Sequence, residues 1–228
     1  MKPHKIYKIA KLTPRPIRKI LKKFYNPKIP VISKLGYGEP AFPLNSMNFL
    51  LDIFKLTLLK KVKGDIIEFG AYKGGTTIRL AECIKELNIK DKIVYGLDTF
   101  EGMPERTKED NLPKFFEGSK DNLDINKLRG LIKKKNVEDV IVLKKGLFKD
   151  TLSSLKNKTF CFAFIDCVLY EGTKDALSFL KGRMNKGGVI VIDDYFSKNL
   201  VGVKKAVLEF FKEEDFIVYM NKLYFFNN

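Results

Sequence analysis

One histidine, His4, is all that this 228-residue chain carries, and it stands far in sequence from every other residue with catalytic chemistry. Ser-His and Cys-His nucleophiles and histidine metal clusters are thereby excluded. Cysteine is nearly as scarce. Cys83, Cys161 and Cys167 form no C-x-x-C pair, and their odd number argues against a disulfide framework and for a reduced, cytoplasmic setting. No apolar stretch reaches the roughly 18 residues needed to span a bilayer. The N-terminus has charge but no apolar h-region, so it does not read as a secretory signal. Low-complexity tracts and internal repeats are also missing. What remains is a globular composition, 45% hydrophobic and 31% charged, long enough to bury a sizeable core in one domain with or without an appendage.

Acid is absent from residues 1–28, which hold ten Lys and Arg; the first carboxylate is Glu39. Of the net charge of +16, the remaining 200 residues carry +6, from 33 basic and 27 acidic side chains. Within the basic arm Ile17, Ile20, Leu21 and Phe24 recur at helical spacing, with Arg18, Lys19, Lys22 and Lys23 between them. The simplest reading is a docked helix whose charges form a solvated face. A peripheral contact of residues 1–28 with an anionic membrane surface is the alternative. No recognised nucleic-acid module accompanies the arm, so nucleic acid is not the expected partner. Turn chemistry follows at Pro27, Pro30, Gly36, Gly38, Pro40 and Pro43. The expected division is therefore an arm and lid segment over 1–44 and a domain over 45–228.

Asn45 or Ser46 is expected to cap a helix running through Phe49, Leu50, Ile53, Phe54 and Leu58. Beyond it the pattern alternates. Strands are expected at 65–69, 92–97, 139–143, 160–165 and 188–192, and helices at 75–89, 123–135, 151–156, 171–182 and 199–213. Residues 216–219 and 223–226 read as a closing hairpin. Alternating elements give an α/β protein, a mostly parallel seven-stranded sheet with helices on both faces and a C-terminal antiparallel hairpin.

Two of the expected strands end in acid. Phe160–Ile165 is followed by Asp166, and Gly188–Ile192 by Asp193 and Asp194. Continuous apolar runs of this kind suit buried parallel strands, whose carboxyl ends form the ligand edge of open α/β sheets. One such acid is usually a solvated turn residue or a helix cap. Three together are costly unless a proton or cation neutralises them, and hard oxygen donors favour Mg²⁺ or a similar ion over zinc. The first strand-to-helix turn, Glu68-Phe-Gly-Ala-Tyr-Lys-Gly-Gly-Thr-Thr77, has neither the G-x-G-x-x-G nor the Walker spacing. Its glycines permit a sharp turn and a close ligand approach, and Glu68 suits an amine-bearing ligand better than a phosphate. Asp98, at the end of the next strand, can accept both hydroxyls of a ribose.

Four stretches occur in the order Ile67-Glu-Phe-Gly-Ala-Tyr-Lys-Gly-Gly-Thr76, Leu97-Asp-Thr-Phe-Glu-Gly-Met-Pro104, Lys145-Gly-Leu-Phe-Lys-Asp-Thr-Leu152 and Ile190-Val-Ile-Asp-Asp-Tyr195. Over residues 45–226 the chain thus resembles the TylF/MycF, macrocin-type, O-methyltransferases. The resemblance implies a Rossmann-like class I methyltransferase fold that methylates sugar hydroxyls of natural products with S-adenosylmethionine and Mg²⁺. It places Glu68, Gly70, Ala71, Tyr72, Gly74 and Thr76 around the methionine part of the cofactor and Asp98, with Thr99 and Phe100, at the ribose. Gly146 to Phe148 would lie near the adenine, and Asp166, Asp193 and Asp194 would bind the metal. The implied partner is a small-molecule hydroxyl acceptor, a sugar or glycoside, and a homodimer is compatible with all of this.

One departure stands out. Where the family has D-x-D, this chain reads Asp166-Cys-Val168, so the acid expected to take the acceptor's proton is a valine. General-base catalysis typically contributes about 10²- to 10⁴-fold. Asp166 remains as a catalytic carboxylate, with Glu171 or a nearby lysine as substitute base. A cofactor-binding pseudoenzyme is the alternative, and an interaction protein working through its basic arm is another. Cys167 beside Asp166 reads as small apolar packing, because methyl transfer needs no enzyme nucleophile. Tyr37, Phe42, Phe115 and Phe116 are candidate lid aromatics.

Overall fold

The computed structural model describes residues 36–39, 42–111, 123–219 and 222–227. The basic arm, Phe115, Phe116 and the hairpin tip at Met220 and Asn221 lie outside them.

Helix α1 (Leu44–Leu59) precedes β1 (Asp65–Phe69), α2 (Gly75–Glu86), β2 (Val94–Asp98), α3 (Ile125–Lys134) and β3 (Ile141–Lys145). A short α4 (Phe148–Thr151) then runs into a 3₁₀ turn (Leu152–Leu155). The chain continues through β4 (Phe160–Ile165), α5 (Tyr170–Leu180), β5 (Met184–Ile192), α6 (Val201–Phe210), β6 (Ile217–Tyr219) and β7 (Lys222–Phe226). The seven strands form one sheet in the order β3-β2-β1-β4-β5-β7-β6. The first five are parallel, and β7 enters antiparallel between β5 and β6. This is the Rossmann-like methyltransferase architecture, and it carries out the α/β expectation.

Strand alternation divides the core between the two faces. Ile66, Val94, Phe162, Phe164, Val189 and Val191 pack with α1, α2 and α3. Ile67, Phe69, Leu97, Ile165, Ile190 and Ile192 pack with α5, α6 and the 3₁₀ turn. Every residue of β4 is buried, which is why it reads in sequence as one unbroken apolar run.

Several boundaries differ from the sequence reading. Helix α1 starts at Leu44 behind Pro43, with no side-chain cap; Asn45 and Ser46 lie inside its first turn, where proline tolerates the missing donor and asparagine binds Ser46 N–H. Lys92 precedes β2 because its ammonium instead caps the carbonyls of Val62 and Gly64 at 2.9 and 2.8 Å. Strand β3 lies two residues later than expected because its pairing begins at Ile141, opposite Val94. Strand β5 begins at Met184, since pairing with Phe160 resumes ahead of Gly187 and Gly188.

The register sets the ligand edge. Leu97, Phe69, Ile165, Ile192 and Leu223 stand in one row across β2, β1, β4, β5 and β7. The next row is therefore Asp98, Gly70, Asp166, Asp193 and Lys222. Backbone bonds hold it: Gly70 N–H donates to Leu97, Asp166 to Phe69 and Asp193 to Ile165, each at 2.9 Å.

Gly70 makes this row possible. Its φ is +94°, and a Cβ there would lie 2.1 Å from the Asp166 carbonyl oxygen. Gly70→Ala is expected to cost at least about 2 kcal/mol or to prevent folding, because it adds backbone strain to a collision with backbone. Gly130→Ala is the control. A Cβ there, on exposed α3, meets nothing within 4 Å, and helix propensity predicts a gain of about 0.5–1 kcal/mol. Urea unfolding measures both.

Candidate active site at the carboxyl edge of the sheet

Among the described residues, seven other than glycine have positive φ. Lys61, Asn88 and Asn136 end helices, where a left-handed residue is routine. The other four, Tyr72, Phe100, Val168 and Asp194, follow β1, β2, β4 and β5. Strained backbone is thus gathered at the carboxyl edge, the place where such strain accompanies function.

Behind Gly70, the turn rises through Tyr72 to Gly74, which is left-handed and opens α2. A Cβ on Gly74 would meet Leu128 Cδ1 at 2.4 Å. Glu68, Gly70, Ala71, Tyr72, Lys73, Gly75, Thr76 and Asp166 line a cleft, with Glu39 at its rim. Glu39 is held there because Gly38 N–H donates to the Lys73 carbonyl at 2.8 Å. Glu68 is buried on the α2 face and accepts the Thr77 hydroxyl. Burial pushes its carboxyl up to about 8, with the nearby Asp98 adding to the rise and the threonine bonds opposing it. Such a group favours the protonated form near neutral pH and suits a ligand that brings a positive charge. The residues present therefore fit an amine-bearing nucleoside cofactor.

Asp98 clasps two turns. One carboxylate oxygen accepts Tyr72 N–H at 2.9 Å and the other accepts Phe100 N–H at 2.8 Å. Thr99 Oγ1 lies 3.3 Å from the second oxygen. Burial raises the carboxyl above its ordinary range, and these bonds work against the rise. The oxygen that accepts Tyr72 N–H keeps a lone pair for a further donor. Gly146, φ +136°, donates to the Asp98 carbonyl at 2.9 Å, and Phe148 packs edge-on against Phe69 at 5.3 Å. The glycine turn, Asp98, Gly146 and Phe148 thus share one side of the edge.

On the other side stand Asp166, Asp193 and Asp194. Burial, then Asp193 and Asp194, push Asp166 well above the usual carboxylate range. Burial, then Asp193, bring Asp194 to about 7. Asp193 is paired with the buried Lys222 ammonium through Oδ2 and accepts Asp194 N–H through Oδ1 at 2.9 Å. The expectation of one ion held by these three acids meets a different arrangement. Among the described residues no three His, Cys, Asp or Glu are arranged to hold a metal. With the buried Lys222 ammonium already paired to Asp193, the donor set as it stands does not fit a divalent cation.

The remaining expectations divide. Val168, where the resemblance implies an acid, has φ +65°, and Leu169 N–H bonds back to the Cys167 carbonyl across it at 2.6 Å. A β-branched residue in this conformation is a backbone outlier. Glu171 does not join the cluster. It is exposed on the first turn of α5, where its charge acts on Asp175 and Lys174 and complements the helix dipole. No contact with the acidic cluster supports the expected role of substitute base. Burial pushes the Cys167 thiol up to about 12, and its sulfur lies 3.6 Å from Thr173 Oγ1, so it packs as a thiol. Tyr37 donates nothing to the cleft; its hydroxyl accepts Asp124 N–H at 2.8 Å. Phe42 is buried against Phe164.

Sequence reasoning missed Thr77, Asp110 and Lys222. Thr77 follows a threonine already singled out, and a buried Glu68 needs a donor. Asp110 accepts the first amide of α5, Tyr170 N–H, at 2.8 Å and Thr107 N–H at 2.9 Å. It caps that helix from a distant loop. No local signal marks this role, nor that of Lys222.

The buried Glu68 generates a pH dependence. Its folded value lies above its unfolded one, so the native state holds the extra proton. Its contribution to stability is complete below about pH 4.5 and is lost as pH rises through about 8. Glu68→Gln is expected to flatten the fall of ligand-free stability across this window, by up to about 1.4 kcal/mol per pH unit where the group titrates. Denaturant midpoints measured from pH 5 to 9 decide it.

Comparison with known proteins agrees with this geometry. Residues 44–223 match the macrocin O-methyltransferase (TylF) family. An 8-demethyl-8-(2,3-dimethoxy-α-L-rhamnosyl)-tetracenomycin-C 4′-O-methyltransferase of Streptomyces olivaceus is 29% identical over 140 residues, covering 59% of this chain and 54% of that protein. A mycinamicin III 3″-O-methyltransferase of Micromonospora griseorubida is 26% identical over 160 residues, covering 67% of this chain and 63% of its own length. The chain thus spans between half and two thirds of these curated relatives. Among solved structures, the O-methyltransferase NovP superposes with a TM-score of 0.74 at 22% identity, over 83% of this chain and 82% of NovP. That likeness supports the fold. With the family match extending from α1 into β7, this chain belongs to the macrocin O-methyltransferase family.

Proposed function

We propose that the protein is an S-adenosylmethionine-dependent O-methyltransferase acting on a hydroxyl of a sugar or glycosylated small molecule. The observation that carries this reading is the family match laid over a cleft with a buried, protonated Glu68 beside a left-handed glycine turn. When bound, S-adenosylmethionine supplies an electrophilic methyl group. Glu68 and the Gly70–Thr76 turn hold its amino-acid end, Asp98 with Thr99 and Phe100 receives the ribose, and Gly146 and Phe148 flank the base. Much of the acceleration comes from alignment of the two reactants. The acceptor oxygen forms its bond to the methyl carbon as the carbon–sulfur bond breaks and the demethylated thioether leaves. The acceptor's proton passes to Asp194, the carboxylate of the cluster brought to about 7, with Asp166 holding its own proton beside it. No step is routed through Mg²⁺. We keep residues 1–44 apart from the methyltransferase domain as an arm and lid segment, in line with Glu39 at the cleft rim.

Calorimetry is expected to show binding of S-adenosylmethionine and its demethylated product. Binding near pH 7 should release a proton from Glu68, seen as an enthalpy that depends on the buffer and is lost in Glu68→Gln. Asp98→Ala removes the acceptor of two buried amides and should weaken binding by about tenfold or more. Binding of NAD⁺ with no affinity for either sulfur nucleoside would refute the reading and leave the fold intact.

Val168 favours a second reading, a cofactor-binding protein without turnover. Val168→Asp separates the two. Aspartate adopts the left-handed conformation more readily than valine, so stability should not fall. Turnover of a glycoside acceptor is expected to rise within about 10²- to 10⁴-fold. Unchanged absence of turnover with intact cofactor binding supports the second reading.

A further inference from the structure

The acidic edge already contains a cation. Lys222 opens β7, and the pairing of Leu223 with Ile192 sets it opposite Asp193. Its side chain is 2% exposed. The ammonium pairs with Asp193 Oδ2 and acts electrostatically on Asp166 and Asp194 as well. It lies 3.8 Å from the centroid of the Phe42 ring and 5.4 Å from that of Phe164, so two aromatic faces hold its inner side. A buried lysine is tolerated only when paired, and this one is paired with a carboxylate that a divalent ion would need. Two positive groups cannot share Asp193 without strong repulsion.

The geometry points to Lys222 as the resident counter-cation of the Asp166–Asp193–Asp194 cluster, standing in place of a divalent metal. This deepens the reading of the same edge as an acceptor site and rests on it. The ammonium neutralises part of the cluster without an exchangeable ion, so the chain binds cofactor and acceptor with no metal bound there. It also accords with Val168, where the resemblance implies an acid. A site that has lost the second acid at Val168 is one carboxylate poorer, and a single positive charge balances it better than a double one.

Manganese binding to the full-length chain, read from the relaxation of water protons, tests this without reference to activity. Wild type is expected to show no saturable site. Lys222→Met keeps the apolar contact with Phe42 and Phe164 while removing the charge. It should gain one saturable Mn²⁺ site, about tenfold or more tighter than the unsaturable wild-type background, and adding Asp193→Asn should abolish the gain. A wild-type site for one Mn²⁺ that Asp193→Asn removes would overturn the proposal, whether or not the lysine variant folds. So would a folded Lys222→Met that gains no affinity; Lys222→Gln serves the same purpose if the methionine variant is insoluble. Calorimetry with S-adenosylhomocysteine on wild type reports separately on the proposed function, and its failure leaves the manganese result standing.

Discussion

A parallel sheet brings the ends of neighbouring strands to one edge, and in this chain that edge is level to the residue. The row Asp98, Gly70, Asp166, Asp193 and Lys222 is fixed by backbone bonds between adjacent strands. Gly70 is the member on which its spacing turns. With the Asp166 carbonyl where a Cβ would be, only glycine lets β1 end so close to β4 while the chain turns toward α2. The cleft, the clasp made by Asp98 and the acidic cluster all depend on that approach.

The edge is also where burial and charge conflict. Glu68, Asp98, Asp166 and Asp194 all have raised proton affinities, each with burial as the main cause. A carboxylate withdrawn from water costs several kcal/mol unless it is paired, bonded or protonated. The structure uses all three remedies. Asp98 is bonded by backbone amides, Asp193 is paired with Lys222, and Glu68 and Asp166 favour the proton. The division has a functional logic. A protonated Glu68 can release its proton to solvent when a cationic ligand binds, whereas Asp193 already has its counter-charge in Lys222.

The two sides of the edge differ in how they handle charge. On the acidic side Val168 stands in a tight left-handed turn, and the Lys222 ammonium is paired with Asp193. On the other side, left-handed Gly70 and Gly74 shape the turn, and the Asp98 carboxylate is held by backbone amides.

The strands, the glycine turn and the acids at the strand ends were legible in sequence because each rests on local rules. Apolar runs bounded by turn residues give buried strands, and D-T-F-E-G-M-P with the paired aspartates marks a family. Long-range placement was not legible. Glu171 lies only five residues beyond Asp166, yet the helical turn of α5 carries it to solvent. Asp110 caps α5 across 60 residues. Lys222 looked like the polar turn of a hairpin, and nothing near it in sequence says which strand it will border. Antiparallel insertion of β7 beside β5 decided that. The composition and motifs determined which chemical groups the chain owns; the sheet register, a property of paired strands far apart in sequence, determined which charges became neighbours.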